Sequence, residues 1–187
     1  MSNGVIIFLY CIMAYGACNV IVFGSGPFKI FEWIRYYAEG IGDKLTPISL
    51  DLSGLRLVMI KPNCGVSTKE AYAGIVRHPE VEGQIKQALE EGKALTDMHP
   101  LLINDFEQTV FPLHPEIAEI KKRLQDAGAM YTAMSGSGST VFGLFATPSN
   151  TTLHNATQHD AESGTDAQLR LLHEEFASMV IFDDTLA

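Results

Sequence analysis

Apolar and polar positions along this chain fall into blocks, and each block predicts an element. Leu55 to Ile60 is an apolar run of strand length, preceded by Gly54 and stopped by Lys61-Pro62-Asn63, since proline cannot donate to a central ladder. Ser67 and Glu70 have the spacing of a capping box ahead of Ala71, Tyr72 and Ile75, so a helix should begin there. Pro79 and Pro100 bracket a second helical stretch, Glu82 to Glu91, whose mixed charges, Glu90 and Glu91 included, read as a solvated face. Asn104 to Glu107 falls at a further helix. His114-Pro115 opens the next, with proline at its favoured first position, and Ile117, Ile120, Leu124 and Ala127 form one apolar stripe. Gly128 ends it.

Ala129 to Met134 and Thr140 to Phe145 are strand-like runs on either side of a glycine-serine loop. From Thr147 to Thr165 the only large hydrophobe is Leu153, which predicts a polar linker or long loop. Gln168 to Met179 regains helical spacing through Leu169, Leu172, Phe176 and Met179, and Val180 to Phe182 is an edge-strand candidate. The order predicts an α+β fold, with helices on one face of a mostly antiparallel sheet. The expected organisation is an apolar segment at 1–23, a folded domain at 24–145, a linker at 146–167 and a helix with a possible edge strand at 168–187.

The first stretch breaks this pattern. Val5 to Phe23 is mostly apolar, and no charged side chain occurs before Lys29. Its length is near the lower limit for a membrane-spanning helix, yet it lacks the basic flank of a signal peptide. Three readings stand: a buried element of a larger core, a membrane or export segment, or a start that never evolved to fold with the rest of the chain. Asn150-Thr-Thr and Asn155-Ala-Thr match glycosylation acceptor patterns, but a Ser-, Thr- and Asn-rich stretch produces such tripeptides by composition alone.

Composition narrows the class. The 187 residues are 47% hydrophobic and 19% charged, which supports a packed core. Lys and Arg total 13 against 22 Asp and Glu, a formal charge of −9. Such a chain has no general attraction to nucleic acid or anionic membrane. Its three cysteines (Cys11, Cys18, Cys64) are too few for a disulfide scaffold and have no zinc-type spacing. A reducing, cytoplasmic compartment fits. The six histidines are scattered without ligand spacing, so spacing assigns no metal site.

The sharpest chemical signal is Ser135-Gly136-Ser137-Gly138-Ser139. Alternating glycines let backbone N–H groups converge into a concave nest suited to phosphate oxygens, and the hydroxyls of Ser137, Ser139 and Thr140 add donors. The same composition also makes an ordinary hairpin loop. Gly65 to Thr68 leads into a helix start, where free N–H groups favour anions, although capping by Ser67 accounts for the pattern too. Tyr72, one turn in, could stack on a planar ligand or pack in the core. Asn104 and Asp105 could bind magnesium or cap a helix.

Five ordered segments together resemble the C-terminal half of a GHMP-family kinase. They are Phe23 to Phe28, Ala38 to Gly42, Lys61-Pro62 with Val66 to Tyr72, Asn104 to Glu107, and Met134 to Phe142, within a region of about 24–145. The nearest branch phosphorylates a cytidine-diphosphate-linked methylerythritol in non-mevalonate isoprenoid synthesis. The resemblance implies transfer of the ATP γ-phosphate, with Mg2+, to a hydroxyl of that substrate. It implies phosphate binding by Gly136, Ser137, Gly138, Ser139 and Thr140, and a cytidine pocket at Thr68 and Tyr72.

The departures from the family are equally specific. The family's main ATP-binding glycine-rich loop and a substrate-contacting lysine lie upstream of the Gly24 segment, and the residues before Gly24 contain neither. The family's catalytic aspartate belongs between the small residue and the proline of that segment, but Gly24-Ser25-Gly26-Pro27 has none near Gly26. The expectation is therefore a kinase fragment or half of a split enzyme, with negligible turnover alone. The alternatives are a catalytically silent cytidine-nucleotide-binding module, a fragment of another GHMP kinase, or a tethered or exported domain. The expected partners are the small cytidyl diphosphate substrate and either a complementing N-terminal half or a second copy. The latter two would cover an apolar face near Phe28, Phe31 and Trp33.

Overall fold

The computed structural model describes residues 7–11, 20–24, 36–39, 44–75, 79–147 and 158–186. Two short antiparallel ribbons come first: β1 (Ile7–Cys11) with β2 (Val20–Gly24), and β3 (Tyr36–Glu39) with β4 (Lys44–Pro47). Much of the apolar run from Val5 to Phe23 is thus paired strand, not a single helix. Among the described residues no helix is long and apolar enough to cross a membrane. The glycosylation patterns and Phe28, Phe31 and Trp33 lie outside the described residues.

The main sheet has four antiparallel strands in the order β6 (Tyr131–Met134), β7 (Val141–Ala146), β5 (Leu55–Ile60), β8 (Val180–Thr185). Strand side chains alternate between faces, and the register sets which residues share one. Leu57, Leu144 and Tyr131 lie in line across the sheet, as do Met59, Phe142 and Ala133. They enter a cluster completed by Ile85 and Ala88 of α2 (Pro79–Glu90) and by Leu95 and Met98 of α3 (Leu95–Met98). Val58, Ile60, Val141 and Met134 face the other way. They pack on α1 (Thr68–Ala73), α4 (Glu107–Leu113), α5 (Pro115–Asp126) and α6 (Gln158–Glu175).

The class is α+β with an antiparallel sheet, but helices lie on both faces instead of one. The uninterrupted apolar run Leu57 to Ile60 within β5 reflects this, because a strand covered on both sides need not alternate with polar residues. Two expectations change with it. The stretch containing α2 is not merely solvated: Val81, Ile85, Ala88 and Leu89 keep helical spacing, and Ile85 and Ala88 are buried. Helix α6 begins at Gln158, ten residues before the expected Gln168, so part of the expected linker is helical. A helical stretch without large hydrophobes, such as Gln158 to Ala167, is invisible to apolar periodicity.

Local signals worked where the cause was local. Ser67 caps α1 by accepting from the Glu70 N–H at 3.4 Å. After α5, Gly128 N–H donates to Gln125 C=O (2.9 Å) and Ala129 N–H to Leu124 C=O (3.1 Å), a Schellman closure. Gly143 on β7 lets α5 sit close, since a Cβ there would lie 3.3 Å from Leu124 Cδ2.

The edge strand β8 is held by charge as well as by its ladder. Arg56 of β5 donates to both Asp183 oxygens, at 2.6 and 2.8 Å, and His173 of α6 lies 2.5 Å from the second. Burial pushes the Asp183 carboxyl up, but Arg56 and His173 outweigh it and hold it below the usual carboxylate range. A lowered folded value means stabilisation that is present above the unfolded value near about 3.9 and lost as pH falls through the folded one. Asp183→Asn should therefore cost about 2 kcal/mol at neutral pH, with the gap to wild type closing in acid. Urea melts at a series of pH values check this, and a gap that widens toward acid would refute it.

Candidate functional site

The glycine-serine loop is the connection between β6 and β7. Ser135 N–H donates to Thr140 C=O (2.8 Å) and Gly138 N–H to Ser135 C=O (3.0 Å), closing it into a compact bend. Gly136 and Gly138 take positive φ values of 56° and 95°, a region that side-chain-bearing residues rarely adopt. Among the described residues, the amides of Gly136, Ser137, Ser139 and Thr140 have no acceptor within the protein. N–H groups left without internal acceptors in a glycine bend are available to an anion.

Two segments distant in sequence hold this bend. Asn104 is 4% exposed; its amide donates to Met134 C=O (2.6 Å) and Gly136 C=O (2.8 Å), while its oxygen accepts from Phe106 N–H (3.0 Å). Glu107 accepts from Met134 N–H at 2.8 Å and pairs with Lys121 of α5 at 2.5 Å. The Asn104–Glu107 segment is thus the clamp beneath the loop. With both amide hydrogens and its oxygen engaged, Asn104 is a structural residue and does not suit the magnesium role considered for it.

The second anchor is the entry to α1. Ser139 Oγ donates to Cys64 C=O at 2.8 Å, and a Cβ on Gly138 would lie 3.2 Å from Val66 Cγ2. Val66 and Cys64 lead directly to the Ser67 cap. The phosphate-loop candidates and the helix carrying Thr68 and Tyr72 are therefore one joined region. Thr68 is exposed at the first residue of α1. Tyr72, one turn on, is 40% exposed and packs edge-on against Phe106, with centroids 4.9 Å apart. Phe106 is the residue whose N–H Asn104 binds, so Tyr72 and Gly136 are linked through two residues.

Of the three hydroxyls expected to face an anion, Ser139 is committed to Cys64 and is 6% exposed. Its role is to fasten the loop, and only its amide is left for a ligand. Ser137 and Thr140 are half-buried. Of the segment expected to hold a catalytic aspartate, residues beyond Gly24 lie outside the described ones.

Spacing also missed a cluster. Cys64, His114 and Glu116 each present a ligand-type atom, and the three atoms lie within 4.8 Å of one another. Burial pushes the Cys64 thiol up, and Glu116 adds to the effect. The long separation in sequence between Cys64 and His114 hid this group, and the only sequence cue was the His114-Pro115-Glu116 helix start.

Comparison with known proteins adds to the geometry. Residues 74–161, which include the loop and its Asn104 clamp, match the family model described as GHMP kinases C terminal. The chain carries a GHMP-kinase C-terminal domain. Among relatives, 4-diphosphocytidyl-2-C-methyl-D-erythritol kinase of Bacteroides thetaiotaomicron is 49% identical over 110 residues, 58% of this chain and 39% of that protein. The protein of the same name from Cytophaga hutchinsonii is 41% identical over 132 residues, 68% of this chain and 47% of its own. The GHMP-kinase domain and its flanks thus span less than half the length of these curated relatives. A solved 4-(cytidine 5'-diphospho)-2C-methyl-D-erythritol kinase aligns with a TM-score of 0.48 and 27% identity, over 73% of this chain and 46% of that one.

Proposed function

We propose that this chain supplies the phosphate-facing loop and the cytidine-facing helix of an ATP-dependent phosphotransferase acting on 4-diphosphocytidyl-2-C-methyl-D-erythritol. The observation that carries the reading is the joint between loop and helix: Ser139 on Cys64, and Gly138 against Val66. It ties the loop with its unclaimed amides to the segment that leads into the helix bearing the exposed Tyr72, and a ligand with both phosphates and a planar base would need both features in one region. The names of the relatives favour the cytidyl substrate over other acceptors of GHMP kinases.

Each group has its own part in the chemistry. The amides of Gly136, Ser137, Ser139 and Thr140 would hold phosphate oxygens and stabilise charge as it shifts during transfer. The Tyr72 ring would stack on the pyrimidine from its exposed side, with Thr68 at the same helix face four residues before it. The loop offers amides and hydroxyls and no carboxylate, a donor set for phosphate, so Mg2+ would arrive on the nucleotide. Removing the proton from the acceptor hydroxyl needs a base, and Gly24-Ser25-Gly26-Pro27 contains no carboxylate. This last observation favours a second reading, in which the chain by itself is a silent cytidine-nucleotide-binding module.

Two measurements on the purified chain test these readings separately. Calorimetric titration with cytidine diphosphate should give saturable heat, and Tyr72→Ala should weaken binding about 10- to 100-fold, the scale of base–aromatic stacking. A folded sample that gives no heat removes both readings. A coupled ADP-release assay with ATP and the cytidyl substrate should show no steady turnover. Clear turnover would show that another group serves as base and would eliminate the silent module.

A further inference from the structure

We propose that Cys64, His114 and Glu116 form a three-ligand site for a divalent cation of the zinc class. The proposal does not rest on the kinase reading: it uses the side chains of three residues outside the loop nest and the Thr68–Tyr72 face, although the Cys64 carbonyl also anchors Ser139 of the loop. Their ligand atoms lie within 4.8 Å of one another, with His114 Nδ1 at 3.5 Å from Glu116 Oε1. Zinc bonds to sulfur, nitrogen and oxygen of about 2.3, 2.0 and 2.1 Å imply ligand–ligand edges of roughly 3.3–3.7 Å in a tetrahedron. Closing onto an ion thus needs side-chain movements of about an ångström.

The backbone presents these ligands firmly. His114 sits at the junction of α4 and α5, where its N–H donates to Val110 C=O at 2.8 Å and Pro115 begins the next helix. Glu116 comes next, in the first turn of α5. Cys64 lies between β5 and α1, its carbonyl held by Ser139 Oγ. A bound ion would therefore tie the β5–α1 connection to the α4–α5 corner.

The donor set selects the ion. A thiolate with an imidazole favours zinc-class metals, whereas magnesium and calcium prefer all-oxygen sites. Three protein ligands leave a fourth position open to water or an external anion. Glu116 is half-exposed and His114 partly so, with side-chain exposures of 49% and 22%, which leaves an entry path.

Cobalt(II) is a spectroscopic stand-in for zinc, so the probe is Co2+ titrated into the reduced full chain. The expected result is thiolate-to-cobalt absorption that saturates at one equivalent, is displaced by Zn2+, and is accompanied by a rise in Tm. Cys64→Ser should abolish the band while keeping the native circular dichroism. Glu116→Gln, at an exposed position that tolerates change, should weaken Co2+ binding about tenfold, and His114→Ala by more. A wild-type chain without the band overturns the proposal. So does a band that persists in Cys64→Ser, which would place the ligand at Cys11 or Cys18, or one that Glu116→Gln and His114→Ala leave unchanged.

Discussion

Asn104→Asp should destabilise the chain by about 3–5 kcal/mol at neutral pH, although the two side chains are nearly the same shape. The native amide donates two hydrogen bonds, to Met134 C=O and Gly136 C=O, and accepts one from Phe106 N–H. An ionised carboxylate keeps only the last. It sets an anionic oxygen against two carbonyl lone pairs in a buried site, close to the segment that carries Glu107. A protonated carboxyl has one hydrogen and can serve only one of the two carbonyls. The substituted group would thus have a folded pKa above its unfolded value near about 3.9. Stability with a raised folded value is present below the unfolded pKa and lost as pH rises, so the deficit should be smallest in acid and grow toward neutrality. Urea unfolding midpoints at several pH values give the answer. A loss below about 1 kcal/mol at neutral pH, or a deficit that grows in acid, would mean that Asn104 does not clamp the loop.

That clamp marks the boundary of what the sequence made legible. Ser67, Pro115 and Gly128 act within four residues of themselves, through a cap, a fixed φ and a terminal turn, and each was readable in isolation. The loop glycines were readable for the same reason, because a backbone that turns with positive φ needs residues without Cβ. The partners that give these features their place were not readable. Asn104 meets Gly136 across 32 positions and Ser139 meets Cys64 across 75, and no periodicity encodes either meeting. The same limit hid the Cys64, His114 and Glu116 cluster. The buried face of α2 was concealed differently: charged neighbours surround Val81, Ile85, Ala88 and Leu89, so mean polarity masked a sound apolar stripe. Tyr72 kept both of its readings, as the ring packs in a T-shaped pair with Phe106 while 40% of the residue is open.

Gly138→Ala should cost about 2–5 kcal/mol and should remove most nucleotide affinity, whereas Gly136→Ala should cost about 1 kcal/mol. The contrast comes from position and not from residue type. Gly136, at φ 56°, lies in the left-handed helical region that an alanine can enter at a modest penalty. Gly138, at φ 95°, lies outside it. A Cβ on Gly138 would also sit 2.8 Å from Met134 Sδ and 3.2 Å from Val66 Cγ2. Met134 is fully buried, so its flexible thioether has no solvent to move into and must displace its core neighbours. Movement of Val66 instead would push the Ser67 cap, and with it Thr68 and Tyr72, away from the loop. Either relaxation separates the amide nest from the aromatic face, so affinity for cytidine diphosphate should fall further than the lost stability alone explains. Paired urea melts and calorimetric titrations of the two variants test this. If Gly138→Ala matched Gly136→Ala in both measurements, the bend and the helix entrance would be neighbours without being coupled, and a shared site would lose its structural basis.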